Sequence, residues 1–221
     1  MTNARAEDII ARAEAAERAG RRDETVALWS ELVASYPEHP RALLLRGQLQ
    51  MEAGDAAGAL ALLARAEAIG ASLPEIPFLV AVCQRHLRNP VAALDAIERA
   101  LALDPYFFPA LLSKGAILED LGKHRLAART YRHALKIAPP DKSLPADARA
   151  ALQRASEHVA NNARALAAHL QQTTSALRGR YAGERFERFD ECVDILAGVK
   201  QRHVQDPITL YYPRLPAIPF Y

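Results

Sequence analysis

Aromatic residues are scarce in this chain, 6% of 221 positions, and glycine occurs only 10 times. Sheets draw on β-branched and aromatic side chains, so a β architecture is disfavoured from the outset. Only two cysteines are present, Cys83 and Cys192, too few for a disulfide framework and suited to a reducing cytoplasm. No apolar run approaches the ~18 residues that a membrane-spanning helix needs, so no membrane partner is expected. The opening MTNARAEDII lacks the basic-then-apolar order of a secretory signal. An excess of one charge is also missing: 28 Lys and Arg against 26 Asp and Glu leave +2. A nucleic-acid binder usually concentrates a basic face, so no nucleic-acid partner is expected either. What is abundant is alanine, 45 residues, the best helix former. The expected class is all-α, with chain enough for one or two domains of ~100–150 residues.

The alanines are not scattered. Pro37, Pro105 and Pro139 fall on a 34-residue step, with Ala71 at the remaining position. The same step joins Gly47 and Gly115, with Ala13 and Ala81 in the other registers. It joins Gly20, Gly54 and Gly122, with Arg88 as the exception. It also joins Ala59, Ala93 and Ala127, then Ala66, Ala100 and Ala134, with Trp29, Leu63, Ile97 and Tyr131 at the bulky position between them. Glycine at a fixed place ends a first helix, because it takes positive φ at low cost. Small residues sit where two helices cross closely, and proline closes the second helix. The units read as helical hairpins at 6–39, 40–73, 74–107 and 108–141. This pattern resembles the tetratricopeptide repeat, with small residues at unit positions 8 and 20, glycine at 15, alanine at 27 and proline at 32. The resemblance implies a right-handed superhelix of hairpins. The first unit departs most, carrying Thr25 and Leu32 at two small-residue positions.

After residue 141 the punctuation stops. Pro145 to Leu177 contains no glycine and no interior proline, and Leu152, Val159 and Leu166 recur every seven residues. One amphipathic helix of ~50 Å is predicted, broken at Gly179 and Gly183. Its expected role is to cap the last repeat's apolar face, with an intermolecular helical contact as the alternative. A shorter helix follows, with Phe186, Phe189, Val193, Leu196 and Val199 at helical spacing. Residues 142–203 therefore form a helical region distinct from the repeats.

The final stretch, 204–221, changes character. Its DPITLYYPRLPAIPFY holds four of the 14 prolines and four of the 14 aromatics. Pro213, Pro216 and Pro219 at steps of three favour an extended polyproline II conformation. Arg214 with these prolines superficially fits a ligand for a proline-recognition domain, and an interdomain linker is the preferred reading. LYYPRLPAIPFY resembles the segment that opens the catalytic domain of the aspartyl/asparaginyl β-hydroxylase family, whose bacterial members often carry tetratricopeptide-like repeats upstream. The resemblance implies that a 2-oxoglutarate and iron(II) dioxygenase domain follows residue 221, and that this chain is the non-catalytic N-terminal part of a longer, cytoplasmic, bacterial protein.

Within the 221 residues no catalytic or metal centre is expected, and no cofactor. A non-haem iron site needs two histidines on one rigid face, yet His124 and His133 lie ~180° apart around a helix. His158 and His169 are ~16 Å apart along the axis. Cys83 and His86 share a face without further ligands and read as a buried thiol beside a groove histidine. No phosphate loop, nucleophile elbow or Cys-x-x-Cys occurs.

A binding groove is what remains. In tetratricopeptide arrays the first helix of each unit lines the concave side through unit positions 2, 5, 9, 12 and 13. Carried onto this sequence, those positions include Ile10 and Glu14; Arg41, Leu44, Gln48 and Met51; Phe78, Val82, Arg85 and His86; and Leu112, Ala116 and Glu119. The Lys/Asn clamp that grips a peptide carboxylate is missing, replaced by Leu44, Gln48, Phe78 and Val82. The expected partner is a protein or peptide segment with an acidic or aromatic anchor near Arg41 and Arg85. Self-association through the C-terminal helix or tail, or a free-standing adaptor without any enzymatic domain, are the alternatives.

Overall fold

Ten helices follow one another in the computed structural model, which describes residues 2–70, 72–140, 144–181, 185–197 and 200. They are α1 (Thr2–Arg18), α2 (Arg22–Ser35), α3 (Pro40–Glu52), α4 (Ala56–Ala68), α5 (Glu75–His86), α6 (Pro90–Leu103), α7 (Phe108–Asp120), α8 (His124–Ile137), α9 (Ala146–Arg180) and α10 (Glu187–Ala197). There is no strand among the described residues. The chain divides into two compact units, Met1–Asn162 and Ala163–Tyr221. The Pro-rich tail expected at 204–221 lies outside the described residues, as do Ala71, Gly183 and Val199.

In the first unit, α1 pairs with α2, α3 with α4, α5 with α6 and α7 with α8. The turns inside these hairpins explain the glycine series. Gly20, Gly54 and Gly122 hold φ of 69°, 85° and 70°, the left-handed region that side chains resist. Arg88 occupies the corresponding turn with φ of 62°, the one non-glycine in that region among the described residues. Helix starts are equally local. Asp55 caps α4 by accepting a 2.8 Å hydrogen bond from the Gly58 N–H, and Pro40 and Pro90 open α3 and α6, where no N–H is needed.

Small residues stand at the hairpin crossings. Ala59, Ala93 and Ala127 are fully buried, and so are Ala66, Ala100 and Ala134. In the first hairpin Leu32 is accommodated at 0% exposure, while the Thr25 hydroxyl donates to the Arg21 carbonyl at 2.9 Å. The glycines of α3 and α7 admit the bulky residues of their partner helices. A methyl group on Gly47 would sit 3.3 Å from the end of Leu63, and one on Gly115 would meet the ring of Tyr131.

Three apolar clusters result among the described residues. The largest runs from Leu43 through Ile117 over the second, third and fourth hairpins. A separate one joins Ile9, Leu28 and Leu32 to Ala42. The last joins Leu118, Ala127 and Tyr131 to Ala155, with Val159 against it, so the opening turns of α9 cover the end of the array.

The second unit contains the rest of α9, which passes through Gly179 to end at Arg180, and α10. Arg178 pairs with Asp190 and lies over the rings of Phe186 and Phe189, at 5.4 and 5.7 Å. Val193 is buried.

Candidate functional site

Residues of the first helices, predicted from unit position, gather into two concavities at opposite ends of the hairpin series. The first, about 540 Å³, is lined by Ile10 and Glu14 of α1, His39, Pro40 and Arg41 at the start of α3, and Ile69 and Leu73 beyond α4. Arg41 organises it. Its guanidinium reaches Glu14 at 3.2 Å and Glu75 at 3.5 Å and lies 5.6 Å from the Trp29 ring centre. One side chain thereby connects α1, α2, α3 and α5, across the seam where two apolar clusters meet.

The second concavity, about 340 Å³, is lined by Arg85 of α5, Leu112, Ser113, Ala116, Glu119 and Asp120 of α7, Tyr131 of α8, and Ala151 and Arg154 of α9. Arg85 Nε donates to Asp120 at 2.7 Å. Glu119 lies 3.1 Å from His158 Nδ1. The other ring nitrogen of His158 faces the backbone carbonyl of His124 at 3.2 Å. Burial, followed by the Glu119 carboxylate, pushes the Tyr131 hydroxyl well above the ordinary phenol range. Tyr131 therefore keeps its proton beside the Glu119 carboxylate at the pocket wall.

Between these ends the predicted residues take different roles. Leu44 is 3% exposed and belongs to the main core. Met51, Phe78 and Val82 are half-buried against it, the Phe78 ring edge-on to Phe107 at 5.4 Å. Gln48 and His86 are exposed. Arg41 and Arg85, read as anchors for a partner's acid, are each occupied by this chain's own carboxylates. Cys83 is buried, its thiol raised by that burial from the ordinary 9.0 to about 11, whereas Cys192 is exposed. Among the described residues no three metal-ligating side chains cluster, and no helix is long and apolar enough to cross a membrane.

Tyr131 and Arg154 were not among the predicted site residues. Tyr131 was visible as the bulky member of the repeat but belongs to a second helix. Arg154 lies outside the periodic register and reaches the pocket only because α9 folds over the last hairpin.

The family model for the tetratricopeptide repeat matches residues 10–74 and 84–142, more than half of the chain. The chain belongs to this family. No curated protein sequence matches it. Among solved structures, the first tetratricopeptide domain of Spaghetti (RPAP3), bound to the HSP90 peptide SRMEEVD, is 21% identical. It covers 55% of this chain and 95% of its own, with a TM-score of 0.48. The crystal structure of MamA is 18% identical over 80% of this chain and 94% of its own, also at 0.48. The Sgt2 domain from Aspergillus fumigatus is 18% identical, with 57% and 82% covered and the same score. Within the tetratricopeptide framework, the two concavities open among the first helices of successive repeats, and α9 supplies the wall after the last one.

Proposed function

We propose that the array is a protein-interaction module that receives a segment of a partner on the side lined by α1, α3, α5 and α7. The observation that carries this reading is the second concavity. Arg85, Leu112, Ala116 and Glu119, drawn from two successive repeats at groove positions, share one pocket with Arg154 from α9. Its lining mixes apolar Leu112, Ala116 and Ala151 with polar Arg85, Glu119, Asp120 and Arg154. Such a site fixes a partner side chain by shape and by one or two directed hydrogen bonds. The RPAP3 domain, an array of the same kind, is bound to a peptide.

On the sequence side, LYYPRLPAIPFY supports a further step: the module is the non-catalytic N-terminal part of an aspartyl/asparaginyl β-hydroxylase-family protein. Iron(II) and 2-oxoglutarate then belong to a domain beyond residue 221, and the array supplies binding energy remote from the chemistry. Among the described residues no three metal-ligating side chains cluster.

Three measurements test these readings. A photo-crosslinking residue placed at Ala116 should trap one dominant partner, and one at Val26, 65% exposed on α2, should not. Arg154→Ala and Glu119→Gln should then weaken binding of that partner about tenfold, the scale of one or two lost polar contacts. Equal trapping at both sites, or unchanged affinity, refutes the groove. Reading the coding sequence past Tyr221 tests the hydroxylase connection, and a stop codon there removes it.

A further inference from the structure

The second helix of the last repeat, HRLAARTYRHALKI, contains four cations and no carboxylate. At ~100° per residue Arg125, Arg129, Arg132 and Lys136 fall within about 60° of arc and run about 16 Å along the axis. All four are exposed, while Ala127, Ala128, Tyr131 and Ala134 face the core from the opposite side. Among the described residues none of the four has a carboxylate within ion-pair distance. Arg65 and Arg99, on the second helices of the two preceding repeats, are each paired, with Glu38 and Glu67. Like charges three and four residues apart weaken a helix, so the row is not there for the stability of α8. Beside it lie Leu126, 43% exposed, and Tyr106, 70% exposed, whose ring stands edge-on to His133 at 6.2 Å.

We propose that this outer face of α8 is a second docking surface, which takes an acidic segment of a partner protein. The segment presents carboxylates at ~4.5–6 Å intervals, matching steps of three and four residues along the helix, and one apolar residue settles against Leu126 and Tyr106. Charge favours this occupant over a nucleic acid or an anionic bilayer. Lys123 and the four cations of the row contribute five charges, and removing them from the chain's +2 leaves the other residues at −3. An extended polyanion meets that negative remainder as well as the row, whereas a short acidic segment meets the row alone. The surface lies apart from the groove, so its failure and the groove's failure are distinguishable.

The probe is a fluorescent synthetic peptide with four glutamates at the same four-three-four spacing and one leucine, titrated by anisotropy against the full chain. The competitors are a single-stranded DNA oligonucleotide and phosphatidylserine vesicles. Wild type should bind the peptide in a salt-sensitive way. Changing Arg125, Arg129, Arg132 and Lys136 together to Glu should slow association about 10-fold or more, while R125K/R129K/R132K should bind like wild type. If the reversal variant loses helical signal, the neutral R125Q/R129Q variant replaces it and should show a smaller loss. No binding to wild type, unchanged binding after charge removal, or tighter binding of the oligonucleotide or vesicles overturns the proposal.

Discussion

Replacing Gly115 and Gly47 by alanine is the same chemical change at the same repeat position, yet the two should move stability in opposite directions. Each glycine lies within a helix, so each substitution gains ~0.8–1 kcal/mol of helix propensity. At Gly47 the new methyl lies 3.3 Å from Cδ2 and Cγ of the buried Leu63 and 3.7 Å from Leu79 Cδ2, so Leu63 need give by only a few tenths of an ångström. The gain survives there, leaving Gly47→Ala neutral to ~1 kcal/mol more stable. At Gly115 the methyl would lie 2.6 Å from Tyr131 Cζ and closer still to Cε1 and Cδ1. Carbon atoms in contact sit ~3.5–4.0 Å apart, so the ring must retreat by about 1 Å or more. It has little room, being 6% exposed and packed in a cluster with Leu118, Ala127 and Ala155. Overpacking of this kind costs ~1–3 kcal/mol. After the helix gain, Gly115→Ala should lose up to ~2 kcal/mol. At ~2–4 °C per kcal/mol for a chain of this size, the two melting temperatures should separate by up to about 12 °C. Thermal melts followed by far-UV circular dichroism read this directly. The Tyr131→Leu background, which gives the last repeat the residue that Leu63 supplies in the second, should abolish the penalty at Gly115. Shifts of equal sign and size at the two glycines, or a penalty that persists in that background, refute the packing argument.

Arg88→Gly should stabilise the array by ~1 kcal/mol, because the left-handed turn penalises a side chain by ~1–2 kcal/mol and the more flexible unfolded chain returns part of it; a lower melting temperature refutes this. Arg41→Ala should loosen the first hairpin specifically, speeding amide exchange in α1 and α2 about 5-fold while α7 and α8 keep their protection; a uniform change along the array contradicts the bridging role. A thiol reagent should label Cys192 alone in the native chain and both cysteines in denaturant. Because the fold raises the Cys83 thiol from 9.0 to about 11, its contribution to stability is intact below pH 9 and is lost as pH rises toward 11. Denaturant titrations across that range should show a shallower decline in Cys83→Ala than in wild type.

The repeat was legible because sterics restrict each marked position to a few residue types. Only small residues fit the crossings at Ala59, Ala93 and Ala127, and the turns need positive φ, so a 34-residue comparison finds both. Arg88 shows how strict the geometry is: the sequence broke the glycine series there, and the backbone kept the conformation. Unit position also picked out four residues of the second concavity, Arg85, Leu112, Ala116 and Glu119. It could not say that Leu44 would be covered by the neighbouring hairpin while Phe78 remained half open, since that depends on which side chains face it from the next repeat. Arg154 and the partners of Arg41 were hidden for the same reason. The row on α8 was hidden by arithmetic, because a net charge of +2 averages a basic helix with the acidic remainder.

The alanine crossings and the ion pairs divide the labour of assembly unequally. An alanine pair fits any other alanine pair, so in steric terms one hairpin could be duplicated or removed and the reach of the array would change by a fixed increment. The pairs of Arg41 with Glu14 and Glu75, of Arg85 with Asp120 and of Arg99 with Glu67 are individual to their seams. They act as keys, so a hairpin copied into a foreign position would still stack, with its charges addressed to neighbours that are no longer there.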